Sequence, residues 1–152
     1  MFAIVLAALD RSGSVLPILY AMGVHELAHV VMMLACGGRV RRLAGPLVNL
    51  VCGALFCMRS PAFAAYSLML GIYNLLPVWP LDGGRAVRCA LAQHLPLARA
   101  EAVSRRSSFA VCAALLLAGI ILTFFRRAGL WPLGTAAYLT LRLLTLAKRT
   151  GE

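Results

Sequence analysis

Acidic residues are scarce in this chain, which has only five Asp and Glu against 15 Lys and Arg among its 152 residues. Charged residues together make up 13% of the sequence, about half of the ~25% that is usual in soluble domains. Hydrophobic residues, by contrast, account for 62%. The chain has too few polar residues to cover the surface of a water-soluble globule. We therefore expect most of the chain to be surrounded by a lipid bilayer.

Two further absences narrow the function. The five cysteines form no Cys-x-x-Cys pair and lie in or beside apolar segments, so we interpret them as small packing residues. The net charge is +10, but no aromatic-rich basic face accompanies the basic residues, which lie in short loops between apolar runs. We therefore expect no nucleic-acid partner.

The apolar runs predict an all-α polytopic membrane protein of about five to six transmembrane helices with a three-helix catalytic core. A bilayer crossing takes about 20 apolar residues. Residues 2–9 are apolar but too short to cross alone, and residues 84–93 predict a short amphipathic helix. The predicted spans are residues 15–35, 43–58, 62–81, 107–125 and 130–147. We expect residues 1–152 to form a single domain.

The distribution of Lys and Arg between the loops predicts the orientation of these spans, because cytoplasmic loops are enriched in both residues. Four of them lie on one side: Arg11, Arg59, Arg126 and Arg127. Ten lie on the other: Arg39, Arg41, Arg42, Arg85, Arg88, Arg99, Arg105, Arg106, Lys148 and Arg149. The side with ten is predicted to be cytoplasmic.

Two of the five acids, Glu26 and Asp82, lie within or at the edge of apolar spans, and His25 and His29 flank Glu26 in the motif HELAH. A charge inside a bilayer costs ~2.5–3.5 kcal/mol on insertion scales, so such residues are functional candidates. Helix positions i and i+4 share one face, and the two histidines can therefore bind one zinc ion. Glu26 lies beside them and can take a proton from the attacking water.

A catalytic zinc has three protein ligands and an open position for water or substrate, so a third ligand must come from elsewhere. Asp82 is the best candidate, because Pro77 and Pro80 precede it and Gly83 and Gly84 follow it. This context predicts an unwound helix end that allows the carboxylate to approach the metal. We predict one Zn²⁺ per chain, although another divalent metal could bind the same ligand types.

Each motif also has a purely structural interpretation. HELAH could be a chance match in which both histidines are buried and hydrogen-bonded. Asp82 could be the N-cap of the helix predicted at residues 84–93.

Three motifs together, HELAH, AGPLVNL (44–50) and NLLPVWPLDGGR (74–85), resemble those of the site-2 proteases. They are most similar to the stage IV sporulation FB branch of that family. The resemblance implies that His25, His29 and Asp82 bind zinc and that Glu26 is the catalytic base. Asn74 matches the family's N-x-x-P motif, so it is expected to contact the substrate or the transition state, or else to hydrogen-bond at a helix break. A cavity-shaping role is expected for Gly45, Pro46, Asn49, Pro77 and Gly83.

The resemblance also implies a biological role at the bacterial cell membrane, with the active site opening to the cytoplasm. Site-2 proteases cut membrane-tethered regulatory proteins, and the sporulation branch is similar in releasing a pro-sigma factor. Regulatory membrane partners and a homo-oligomer are compatible with this role. We expect neither an inserted PDZ domain nor a C-terminal nucleotide-sensing domain. The loop at residues 37–43 is shorter than the strand-like segment that relatives use for extended substrates.

Two other functions remain alternatives. A metal transporter could use His25, His29 and Asp82 as a transit site, and it would show metal flux without needing Glu26. A non-catalytic membrane adaptor descended from a protease would be unaffected by Glu26→Gln.

Overall fold

The computed structural model describes residues 15–36, 41–124 and 130–149. Within these ranges the chain is helical and contains no strand, so the all-α prediction is confirmed there. The predictions for residues 2–9 and for residues 37–40 lie outside the described ranges. The six described helices are α1 (Leu16–Cys36), α2 (Arg41–Leu55), α3 (Pro61–Leu75), α4 (Asp82–His94), α5 (Leu97–Phe124) and α6 (Trp131–Arg149).

Two described helices are long and apolar enough to cross a membrane, α1 over Leu16–Ala35 and α5 over Leu97–Phe124. Only 22% and 17% of their most apolar segments are buried in the protein. The core helix of a soluble protein would be mostly buried, so these exposed apolar surfaces agree with lipid as the surrounding solvent. Helices α2 and α3 have 15 residues each and are therefore only about 22 Å long.

Several helix boundaries differ from the sequence prediction, and α2, for example, ends at Leu55 rather than at residue 58. Helix α3 ends at Leu75 rather than near residue 81, because the proline-rich segment that follows does not continue it. Helix α4 begins at Asp82, two residues before the predicted start. Helix α5 begins at Leu97, ten residues before the predicted span. Hydropathy alone did not predict the first ten residues of α5, because this segment contains charged residues. Most residues of the segment nevertheless favour a helix.

Helices α1, α2 and α3 pack against one another and form the predicted three-helix core. Small residues allow the close approach of α2 and α3. Gly53 of α2 packs against Leu68, and a Cβ atom on Gly71 of α3 would lie 2.9 Å from the carbonyl oxygen of Pro46. Pro46 lies inside α2, and the helix continues through it.

The segment between α3 and α4 is not helical, and it is anchored to the second half of the protein. Val78 is fully buried in a cluster with Cys112 of α5 and with Leu139 and Leu143 of α6. The Trp79 amide donates a hydrogen bond to Ser108 Oγ at 3.0 Å. This hydroxyl itself donates to the Ser104 carbonyl at 2.8 Å. Helix α5 therefore holds in place the segment that leads into Asp82.

The bond from Trp79 to Ser108 gives a stability prediction. We expect Ser108→Ala to lower the free energy of unfolding by about 1–3 kcal/mol, because it leaves the Trp79 amide without its acceptor. The matched control is Ser107→Ala, since the Ser107 hydroxyl only donates to the Ser104 carbonyl of its own helix. Thermal unfolding in detergent measures both variants. Equal losses in the two would show that the Trp79 bond is not important for stability.

Candidate metal centre

The two histidines of HELAH lie one turn apart on α1 and face the interior of the three-helix core. Their ring centroids are 4.9 Å apart, and the ring planes form an angle of 78°. His25 is buried, with 6% of its surface exposed, and His29 is partly buried. Two imidazoles that are buried among apolar helices require polar partners.

Asp82 supplies the shared partner. Its Oδ2 atom lies 3.2 Å from Nε2 of His25 and 3.2 Å from Nε2 of His29. Asp82 is the first residue of α4, and the N-cap position belongs to Leu81. The fold therefore brings together the three residues predicted to bind zinc, and Asp82 does not occupy the N-cap position of the structural interpretation.

Two of the separations among these three atoms are close to those of a zinc site. The three donor atoms all lie within 4.8 Å of one another. In a tetrahedral site with bonds of about 2.0–2.1 Å, neighbouring donors are about 3.3–3.4 Å apart. Both 3.2 Å separations between histidine and aspartate are close to that edge length. Two imidazole nitrogens and one carboxylate oxygen are also a common ligand set of catalytic zinc.

Gly45 allows α2 to approach these ligands closely. A Cβ atom at this position would lie 2.5 Å from His29 Nε2 and 2.8 Å from His25 Nε2. Any larger residue would therefore overlap both imidazoles unless they moved. This contact gives a specific reason for the glycine in AGPLVNL.

Asn49 lies one helical turn after Gly45 and is fully buried. Its Nδ2 atom is 3.2 Å from Nδ1 of His25. The second imidazole nitrogen of His25 thus contacts α2, while the first faces Asp82. The sequence motif predicted a cavity-shaping role for Asn49, but it did not predict this contact with a histidine.

A cavity of about 770 Å³ lies in front of the three donors, and Glu26 is part of its wall. Glu26 is exposed, so its carboxylate is accessible to water in the cavity. Asn74 also lines the cavity, and its Nδ2 atom donates a hydrogen bond to the Leu70 carbonyl at 3.0 Å. Asn74 is thus both a hydrogen-bonding residue near a helix end and a cavity residue.

None of the five residues expected to shape the cavity lines it directly. Each of them instead contacts or lies near another part of the protein. Gly45 and Asn49 contact the histidines, and Pro46 packs near Gly71 of α3. The Pro77 carbonyl lies near the Ser108 hydroxyl. A Cβ atom on Gly83 would overlap backbone atoms of Leu75 and Leu76.

One part of the wall was missed by the motif analysis. Trp79, Arg85 and Arg88 line the cavity, with the guanidinium carbons of Arg85 and Arg88 lying 5.7 Å and 5.3 Å from the Trp79 ring centroid. Both distances fall within the range of cation–π contacts. Arg88 also pairs with Glu101 of α5. Arg85 follows Asp82 by three residues in the same helix, which places the two side chains next to each other, and this spacing was a signal in the sequence that could have identified Arg85.

The chain is similar to several known proteins. A family model described as peptidase family M50 matches residues 60–115, which include Asn74 and Asp82. Stage IV sporulation protein FB of Bacillus subtilis is 36% identical over 50 residues, which are 33% of this chain and 17% of that protein. Rip3 of Mycobacterium tuberculosis, which is named as a zinc metalloprotease, is 30% identical over 161 residues, covering 78% of this chain and 41% of that protein. The chain thus spans less than half the length of either relative.

The fold is also similar to a solved structure, a site-2 protease from Methanocaldococcus jannaschii. The TM-score is 0.68, and the match covers 95% of this chain and 84% of that chain. The sequences are 16% identical, so this likeness concerns the fold alone. The solved structure agrees with this chain in fold, and the matches to the M50 family model and to the two relatives show that the chain belongs to peptidase family M50, the site-2 proteases.

Proposed function

We propose that this chain is an intramembrane zinc metalloprotease that hydrolyses a peptide bond in a membrane-tethered regulatory protein. The observation that carries the proposal is the convergence of His25, His29 and Asp82 beside a cavity that also contains Glu26. The zinc metalloprotease name of Rip3 supports zinc as the metal. The resemblance of the three motifs to the sporulation branch supports a substrate similar to a pro-sigma factor.

The proposed zinc ligands are Nε2 of His25, Nε2 of His29 and Oδ2 of Asp82. Zinc bound by them would act as a Lewis acid on the substrate carbonyl and make hydroxide available at neutral pH. Glu26 would accept the proton of the attacking water and then donate it to the leaving amine. Its position one residue after His25 keeps it beside the ligands and on the cavity side of α1.

Asn74 is the proposed donor to the oxyanion that develops on the substrate carbonyl. Its NH₂ group has two N–H donors, and the hydrogen bond to the Leu70 carbonyl uses one of them. In a cavity from which substrate excludes water, the second donor would stabilise the transition state more strongly than in bulk water.

The proposed location is a bacterial cell membrane, with several spans and an active site that opens to the cytoplasm. The two long apolar helices support membrane insertion, and the excess of Lys and Arg on one side supports the orientation. In a bilayer, the metal site would need protein walls on the lipid side, which the packing of α2 and α3 against α1 supports. Regulatory membrane partners and a homo-oligomer belong to the same proposal.

The proposed role of Glu26 is tested by co-expressing the chain with a membrane-tethered pro-sigma-type substrate. We expect Glu26→Gln to slow cleavage by about 10²–10⁴-fold, the usual contribution of a general base. Cys57→Ser is the control, because Cys57 is exposed and lies outside the cavity lining. Cleavage by the Glu26→Gln variant at the wild-type rate would exclude Glu26 from the chemistry. Cleavage in a host without the chain would identify a host protease instead.

The proposed ligand set predicts the zinc content of purified protein. We expect about one zinc per wild-type chain and a large loss in Asp82→Ala, because two histidines alone bind zinc weakly. Glu26→Gln should retain the metal, since the proposed role of Glu26 is that of a base. Elemental analysis of detergent-purified protein measures all three. Full zinc occupancy in Asp82→Ala would reject Asp82 as a ligand.

The close approach of α2 gives a separate prediction. We expect Gly45→Ala to displace the imidazoles of His25 and His29 and to reduce zinc content. Gly23→Ala in α1 is the control, because an added Cβ atom there meets nothing within 4 Å. It should retain the metal, and the gain in helix propensity should leave the protein at least as stable. Equal zinc contents in the two variants would contradict a tight fit at Gly45.

A further inference from the structure

Asn49 contacts a proposed zinc ligand without contributing to the cavity. It is fully buried on α2, and its amide lies against the Nδ1 side of His25 at 3.2 Å. Among the described residues, its Oδ1 atom is buried and has no hydrogen-bond partner. A buried amide oxygen without a donor is costly, so the environment of Asn49 needs an explanation.

The chemistry of imidazole supplies this explanation. A neutral imidazole carries one proton, which makes one ring nitrogen a donor and leaves a lone pair on the other. When Asn49 Nδ2 donates to Nδ1, the ring proton must be on Nε2, and Nε2 then donates to Asp82. A histidine in that tautomer cannot offer Nε2 to a metal.

A half-turn of the Asn49 amide exchanges Oδ1 and Nδ2 with little change in shape. Oδ1 would then accept a hydrogen bond from Nδ1–H of His25. The lone pair of Nε2 would face Asp82 and His29, where the proposed metal binds. The oxygen that has no donor in the first arrangement has one in the second, and the NH₂ group moves to the position that offered the oxygen no donor.

We propose that Asn49 is a positioning residue that holds the His25 proton on Nδ1 through its Oδ1 atom, so that Nε2 is presented to zinc. The proposal rests on the proposed zinc site. Metal-binding histidines usually donate their second ring N–H to an oxygen acceptor, and loss of such an acceptor typically weakens metal binding by about 10–100-fold. Full burial of Asn49 means that water does not compete for this position.

The geometry of α2 explains why this acceptor comes from an asparagine at position 49. Gly45 lets the helix approach the imidazoles, and a residue four positions later lies on the same helix face. A long side chain would overlap the ring, and a backbone carbonyl of α2 is used within the helix. A short side chain with an amide oxygen reaches Nδ1 from this face.

Zinc affinity of the full chain in detergent micelles tests the proposal, measured by competition with a chelator. We expect Asn49→Leu, which has a similar size and no polar atoms, to weaken zinc binding by about 10–100-fold. Asn49→Asp retains an oxygen acceptor and should bind zinc at least as tightly as wild type. Ser67→Ala is the control, since Ser67 on α3 is equally buried and lies outside the cavity lining.

Nuclear magnetic resonance of the ¹⁵N-labelled histidine rings provides a second readout. In metal-free wild type, where the ring proton can lie on either nitrogen, we expect the His25 proton on Nδ1, and this measurement does not depend on whether Asn49→Leu folds. Thermal unfolding of the metal-free variants separates lost stability from lost affinity.

Three results would overturn the proposal: unchanged zinc affinity in Asn49→Leu, equal weakening in Asn49→Asp and Asn49→Leu, or a metal-free His25 with its proton on Nε2. Equal weakening would mean that Asn49 acts through its NH₂ group. Failure of wild type to bind zinc would instead reject the proposed function on which this inference rests.

Discussion

The fold depends on giving polar partners to ionisable side chains that lie inside an apolar helix. His25 and His29 face the interior of the three-helix core from α1, and Asp82 contacts both of them. An unpaired polar group in such surroundings would be destabilising. The surrounding elements supply the polar partners or hold them in place. These elements are α2, α3, the segment at residues 76–81 and the start of α4.

Two groups of residues meet at the metal centre, and each has its own support. The histidines are supported by α2, through the close approach at Gly45 and the amide of Asn49. Asp82 is supported by the segment before it, in which Val78 is buried against α5 and α6 and Trp79 donates to Ser108. The geometry of the candidate centre is therefore set in part by residues other than the proposed ligands.

The sequence was sufficient for the fold class and for the convergence of the ligands. Hydropathy predicted helices, and the cost of charge in a bilayer singled out Glu26, His25, His29 and Asp82. It was not sufficient for the boundaries of α4 and α5, because the early turns of α5 are charged although they are helical. The sequence also did not predict the contact of Asn49 with Nδ1 of His25, since this contact depends on how two helices pack.

The link between Asp82 and the histidines joins residues that are 53 and 57 positions apart in the chain. These noncovalent contacts therefore close a long loop of the chain. The entropy cost of closing a loop grows only slowly with loop length. A bound metal that strengthens these contacts would therefore make the folded chain more resistant to opening. Metal content and the resistance of the fold to proteolysis should consequently rise and fall together.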